Sequence, residues 1–164
     1  RQVPVAVARG VQVAGDSLSF SADGRTLLAA SHSSHSALQF FDLRHIDDRR
    51  FDDRLSMTAS ASFAWDGKPS EVADRGQDAG CMLFSAAWDA SNRFIVAAGE
   101  KDALGLAYRC REGGDRAVDL VRSVSIAPGQ SGAMFSAAVS DVAQLAAFGG
   151  SHGAVKLVDL SQVA

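Results

Sequence analysis

The chain has 164 residues, 47% of them hydrophobic, and a formal net charge of −3. This composition excludes a disordered tail, and no apolar run approaches the ~20 residues of a membrane-spanning helix. The small negative charge gives no overall electrostatic footprint for nucleic acid or anionic lipid.

The first half of the chain alternates short apolar runs with turn residues. Valines alternate with small or polar residues over 1–14, which predicts a half-buried strand, and Pro4 places that strand at a sheet edge. The segment 17–43 then predicts three short strands separated by two turns. Asp23-Gly24 lies in the first turn, and this pair is a strong hairpin signal because glycine accepts a positive φ.

The 17–43 pattern recurs twice downstream. Residues 88–99 align with 20–31 without a gap, and Asn92 takes the place of Gly24. Asparagine is the residue that best replaces glycine at positive φ, so we expect the same turn. The third copy covers 135–160. Its first turn, at 140–143, has no glycine, and the apolar spacing there is also compatible with a helix.

A fourth strand is expected after the first two copies. Residues 54–63 alternate strictly between apolar and polar side chains, and residues 118–126 do so less regularly. We therefore predict a four-stranded antiparallel meander repeated near 17–63, 83–126 and 133–160, within a single domain spanning 1–164. Two insertions interrupt the repeats, at 44–54 and 64–80.

These repeats resemble the WD-repeat β-propellers. The run from Phe20 to Gly24 is similar to the family's Phe-Ser-Pro-Asp-Gly, small residues follow at 29–31, 97–99 and 148–150, and Phe-Asp at 41–42 stands where the family has Trp-Asp. The Gly-His pair of standard repeats is missing. The resemblance implies an all-β, WD40-like β-propeller of about three four-stranded antiparallel blades, the C-terminal part of a propeller. The alternative is that three blades assemble with other copies or another chain.

The two insertions are the candidate partner-binding segments. Long ordered loops are often functional, and arginine and aromatic residues are enriched at binding hot spots. A solvated loop with local ion pairs is the other reading of 44–54, and a tryptophan packed onto the sheet is the other reading of 64–80. The candidate residues are Arg49, Arg50, Phe51, Arg54, Trp65 and Lys68.

No catalytic constellation is apparent. His32 and His35 are only two possible zinc ligands, whereas zinc needs three or four, and a polar turn is the simpler reading. We therefore expect no enzyme activity, no cofactor and no metal. The resemblance implies a scaffold that mediates protein–protein interactions within a larger complex. The alternative is an RNA- or ribonucleoprotein-associated propeller, suggested by four arginines in one segment: Arg109, Arg111, Arg116 and Arg122.

The expected location is intracellular, in the cytoplasm or the nucleus. Two cysteines are too few for a disulfide framework, and no N-terminal stretch resembles a signal peptide. The chain begins with Arg1 rather than Met, so we expect a piece of a longer sequence, and an organelle stays open as a third location.

Overall fold

The fold is known from a computed structural model, which describes residues 6–13, 17–33, 36–44, 46, 56–63, 82–100, 104–110, 118–125, 132–140, 142, 144–151 and 153–161. For 104–110 and 120–125 the description covers the backbone. No helix occurs in these ranges, so the all-β prediction is confirmed for them. The strands are β1 (Val7–Ala8), β2 (Leu18–Phe20), β3 (Thr26–Ala30), β4 (Leu38–Asp42), β5 (Ser56–Met57), β6 (Ala61–Phe63), β7 (Leu83–Trp88), β8 (Phe94–Gly99), β9 (Leu104–Cys110), β10 (Val118–Ser125), β11 (Met134–Ser140), β12 (Leu145–Gly150) and β13 (Val155–Asp159).

Eleven of these thirteen strands form three antiparallel sheets whose strands follow one another in chain order. The first sheet has the order β2-β3-β4-β6, the second β7-β8-β9-β10, and the third β11-β12-β13. The middle strands β3 and β8 are apolar runs, and β8 is buried along its whole length. Such runs are expected of strands that are covered on both faces.

The predicted single strand at 54–63 is wrong in one respect, because it is two short strands. The β6 strand pairs with β4, with Ala61 opposite Phe40, and the Ser60 N–H donates to the Phe40 carbonyl at 2.7 Å. The pairing of β6 with β4 stops at Ala61 and Phe40, although β4 continues to Asp42. β5 instead pairs in parallel with β1, with Ser56 opposite Val7.

The N-terminal segment is extended but forms only a two-residue strand. The Arg9 N–H donates to the Met57 carbonyl at 3.1 Å, beside the β1–β5 pair. The segment then crosses the first sheet, where the Gln39 side-chain amide donates to the Gly10 carbonyl at 3.2 Å. Residues 1–5, including Pro4, lie outside the described residues, as do the two insertions apart from Arg44 and Ile46.

The turns confirm the predicted exchange of glycine for asparagine. Gly24 has φ 67° and Asn92 has φ 58°. The third repeat is also a hairpin, so the helix alternative is wrong, and Gln144 takes the positive φ there at 48°. Its connection is tighter: four residues separate the paired Ser140 and Leu145, against six in the first hairpin.

The three sheets stack face to face, with the second in the middle. One core lies between the first and second sheets and contains Leu28, Phe40 and Ile95, while another lies between the second and third sheets and contains Val96, Phe148 and Val158. Ile95 and Val96 are neighbours on β8 and point to opposite faces, as strand geometry requires. We call the side of a sheet that points toward the next sheet its forward face and the opposite side its rear face.

Candidate interaction surfaces

The two ends of the sheets differ, and each carries one of the predicted insertions. We call the end with the β2–β3 turn the turn end. The opposite end carries a row of three aromatic rings, and we call it the row end. The first insertion follows β4, whose last residue Asp42 lies at the turn end, where the Leu43 N–H donates to the Arg25 carbonyl at 2.8 Å. The second insertion follows Phe63 at the row end and leads to Leu83, the start of β7.

The insertions therefore start from opposite ends of the first sheet. The β4 strand has five residues, and at ~3.3 Å per residue its ends are about 13 Å apart. The six predicted partner-binding residues themselves lie outside the described residues: Arg49, Arg50, Phe51 and Arg54 in the first insertion, and Trp65 and Lys68 in the second. What the structure fixes is where each insertion is attached.

A row of three aromatic rings crosses the row end. His32 and Phe84 have ring centroids 5.2 Å apart in an edge-to-face arrangement, and Phe84 and Phe135 have centroids 5.5 Å apart. His32 lies two residues after β3 of the first sheet, Phe84 is on β7 of the second sheet, and Phe135 is on β11 of the third. Phe135 is 55% exposed, whereas His32 and Phe84 are half-buried. We call these three residues the aromatic row.

A β-bulge positions each phenylalanine of the row. The register of β7 against β8 shifts between Leu83 and Ser85, and the register of β11 against β12 shifts between Met134 and Ser136. A bulge re-aims a side chain away from the regular alternation, and Phe84 and Phe135 are the extra residues. The second insertion rejoins the sheets next to this row, because Leu83 directly precedes Phe84.

Sequence reasoning did not find the aromatic row. A signal was present, since Phe-Ser-Ala-Ala occurs at both 84–87 and 135–138. The alternation of apolar residues assigned these segments to strands and gave no indication of a bulge. The contribution of His32 follows only from the stacking of the sheets, because it is 52 residues from Phe84 in the sequence.

The turn end carries two related hydrogen-bonded turns. In the first, the Ser21 hydroxyl donates to the Asp23 carboxylate at 2.6 Å, and this bond, followed by the Arg25 N–H, lowers the pKa of Asp23. In the second turn the order is reversed, since the Ser91 hydroxyl donates to the Asp89 carboxylate. Both pairs brace a turn, so these carboxylates serve a structural role.

The two turns also touch each other across the first and second sheets. The Ala22 N–H donates to the Asn92 side-chain oxygen at 2.8 Å. Asn92 therefore does more than replace a glycine, because its side chain ties neighbouring sheets together. This bond was not predictable from the sequence, in which the two residues are 70 positions apart.

An open groove separates the second turn from the third sheet. Asp89, one of its lining residues, is buried and accepts from the Phe94 N–H at 2.8 Å, while the Arg93 Nε donates to the Ser91 hydroxyl at 3.0 Å. The Arg93 guanidinium lies 5.8 Å from the centroid of the Phe94 ring. The groove is thus lined by an exposed arginine and by a buried carboxylate that is hydrogen-bonded within its own turn. Its lining is completed by Val139, Ser140, Gln144 and Leu160.

The remaining sequence candidates are located only in part. The Nε2 atom of His32 is buried and has no hydrogen-bond partner in the described part of the chain, and His35 lies outside that part. The described residues contain no group of three potential metal ligands. Of the four arginines, Arg109 and Arg122 lie on the paired strands β9 and β10, and the other two lie outside the described ranges.

Comparison with known proteins adds no further assignment. No family model matches the chain, and no curated protein matches it significantly. None of the described residues belongs to a helix with the length and hydrophobicity that a bilayer crossing requires.

Proposed function

We propose that the chain is a non-catalytic scaffold of the WD-repeat type, which binds other proteins within a larger complex and uses its row end as a contact surface. In this proposal the three sheets are successive propeller blades. The observation that carries the proposal is the aromatic row, in which His32, just after the first sheet, and one phenylalanine from each of the other two sheets lie next to the attachment of the second insertion.

The stacking of the sheets supports the blade assignment. Each sheet is an antiparallel meander in chain order, and the second sheet buries both of its faces against its neighbours. Repeat architectures bury their apolar faces in this way, one unit against the next. The sequence resemblance of the turn at 20–24 to WD repeats agrees with this arrangement.

The aromatic row has the properties of a protein-binding hot spot. Aromatic rings supply a large contact area, and rings held by a rigid framework lose little conformational entropy on binding. Phe135 is held at a bulge in β11 and contacts Phe84, yet more than half of its surface is exposed. Trp65 and Lys68 belong to the insertion attached at the same end, and we propose that they extend the contact.

Affinity purification of the tagged chain from the cells that produce it tests this function. We expect stable protein partners, and we expect Phe135→Ala to reduce their recovery roughly tenfold or more, as hot-spot truncation does. Val142→Ala is the matched control, because Val142 is fully exposed but lies in the turn of the third sheet. It should leave recovery unchanged.

A second set of variants separates the two insertions. Deletion of 65–80 should weaken the same partners as Phe135→Ala, whereas alanine at Arg49, Arg50, Phe51 and Arg54 should affect a different set, because that insertion starts from the other end. If every partner survives both Phe135→Ala and the deletion, the row end is not the contact surface. If the intact chain has no stable partner, the scaffold function itself is refuted.

A further inference from the structure

The stack of sheets leaves one apolar face open at each end. On the forward face of the third sheet, Val155 is 72% exposed and Leu157 is 63% exposed. On the rear face of the first sheet, Leu18 is 55% exposed and Phe20 is 64% exposed. Contiguous exposed apolar side chains on a soluble protein mark interaction sites, so both faces require an explanation.

The strand registers show that these exposed residues occupy positions that are buried inside the stack. Leu157 lies opposite Ala147 on β12, as Phe40 lies opposite Leu28 on β3, so Leu157 is the third-sheet counterpart of Phe40. Phe40 is buried in the core between the first and second sheets. By the same comparison Val155 is the counterpart of Leu38, which is also buried.

The rear faces give the same correspondence. Phe20 lies opposite Leu27, as Trp88 lies opposite Ile95 and Val139 opposite Ala146. Trp88 packs on the core between the first and second sheets, and Val139 packs on the core between the second and third sheets. Phe20 is therefore at the position that enters the junction in both of the other sheets. In the described part of the chain no sheet precedes the first one, and Phe20 is 64% exposed.

The internal junction shows which residues would meet. Phe40 on the forward face of the first sheet contacts Trp88 on the rear face of the second, with ring centroids 5.8 Å apart at 71°. Their counterparts at the two open ends are Leu157 and Phe20. One chain therefore carries both halves of a third junction, at opposite ends of its stack.

A hydrogen bond at the second junction also has its counterparts at the open ends. The Ala137 N–H donates to the Ser85 hydroxyl at 3.2 Å, across the second and third sheets. Ser85 lies opposite Ala98 and Ser136 lies opposite Gly149, which makes Ser136 the third-sheet counterpart. Ser136 is exposed on the same face as Leu157, and Leu18 is the counterpart of Ala137.

The widths of the two open faces also match. Among the described residues the third sheet has three strands, so its forward face there is narrower than those of the other sheets. On the rear face of the first sheet, the β4 part is already covered, since Gln39 is bonded to Gly10 and Phe41 is fully buried. The part that stays open is the one formed by β2, which matches the narrower partner.

We infer that the forward face of the third sheet binds the rear face of the first sheet of a second copy of this chain. Leu157 of one copy packs against Phe20 of the other, as Phe40 packs against Trp88 within each copy. The contact is head-to-tail, which makes it heterologous. The inference depends only on sheet stacking and is independent of the partners proposed for the row end.

Sedimentation of the purified 164-residue chain over a wide concentration range tests the inference. We expect concentration-dependent self-association, and we expect Phe20→Lys and Leu157→Lys each to weaken it about 30-fold or more, because a desolvated anchor is lost. Val142→Lys is the control at a fully exposed apolar position outside both faces, and it should associate like the wild type. Circular dichroism confirms that each variant is folded.

Mixing the two variants gives the decisive result. Phe20→Lys keeps an intact forward face and Leu157→Lys keeps an intact rear face, so an equimolar mixture should form a one-to-one dimer. The inference is overturned if the wild type is monomeric throughout, which would leave another segment or another protein to cover these faces. It is also overturned if either variant self-associates like the wild type, or if the mixture stays monomeric.

Discussion

Replacing Phe40 with alanine tests the stacking on which both proposals depend. The ring is buried between the first and second sheets, with centroids 5.7 Å from Phe63 in its own sheet and 5.8 Å from Trp88 in the next. Truncation of a buried phenylalanine costs about 3–5 kcal/mol, and each aromatic pair accounts for roughly 0.5–1.5 kcal/mol of that. Phe20→Ala in the same sheet should cost less than about 1 kcal/mol, because Phe20 is largely exposed.

Equilibrium unfolding in urea, followed by far-UV circular dichroism, measures both variants. Measurements at a low protein concentration keep the chain monomeric, so that the Phe20 control reports only the fold. An unchanged slope against denaturant shows that the compactness of the two states is the same, and the midpoint then reports stability.

A double-mutant cycle between Phe40→Leu and Trp88→Leu isolates the contact between the sheets. We expect a coupling free energy of about 0.5–1.5 kcal/mol, similar to that of a cycle between Phe40 and Phe63. The decisive negative result is coupling to Phe63 with none to Trp88. It would mean that the first sheet folds as described while its packing on the second sheet is wrong.

Three further predictions concern the turns and one buried indole. Asn92→Ala should destabilise the chain by about 1–2 kcal/mol in urea unfolding, since it strains a positive φ and removes the acceptor for the Ala22 N–H, whereas Asn92→Asp should cost less. Ser21→Ala should raise the pKa of Asp23 in an NMR titration, because the Ser21 hydroxyl is the main cause of its lowering. A carboxyl whose pKa is lower in the folded state stabilises the fold at pH values above its unfolded pKa of about 3.9, and this stabilisation is lost as the pH falls through the folded-state pKa. The variant should therefore lose less stability in acid than the wild type. An equal loss of stability would count against the assignment. Trp88→Phe should change stability by less than about 1 kcal/mol, because the Trp88 indole N–H is buried without a hydrogen-bond partner among the described residues; a loss of several kcal/mol would show that the N–H is bonded.

The sequence was sufficient for features that depend on neighbouring residues. The three strands and two turns of 17–43 follow from alternation and from Asp23-Gly24, because turn geometry is decided by the φ preferences of a few residues. The second repeat aligns with the first without a gap, and this alignment predicted the same turn at Asn92. The hairpin predicted for the third repeat is also present, but its residue types did not indicate that Gln144 takes the positive φ.

The division of 54–63 into two strands shows where local patterns stop. Its alternation is continuous, and nothing in it marks a break at 58–60. The break coincides with a change of partner, because the pairing with β4 stops at Phe40 and Ala61 while β1 pairs with Ser56 and Met57. Strand pairing satisfies backbone hydrogen bonds, so strand ends depend on which edges are available.

The sequence by itself determined most of the strand units and the positive-φ turns at Gly24 and Asn92, because these depend on side-chain alternation and local backbone preferences. Only the tertiary structure decided what lies against each face. It brought His32, Phe84 and Phe135 into one row, bonded Asn92 to Ala22, and showed that Phe20 and Leu157 are exposed where their counterparts Trp88 and Phe40 are packed together. Alternation gives each strand two faces, but which face is covered depends on sheets that are distant in the sequence.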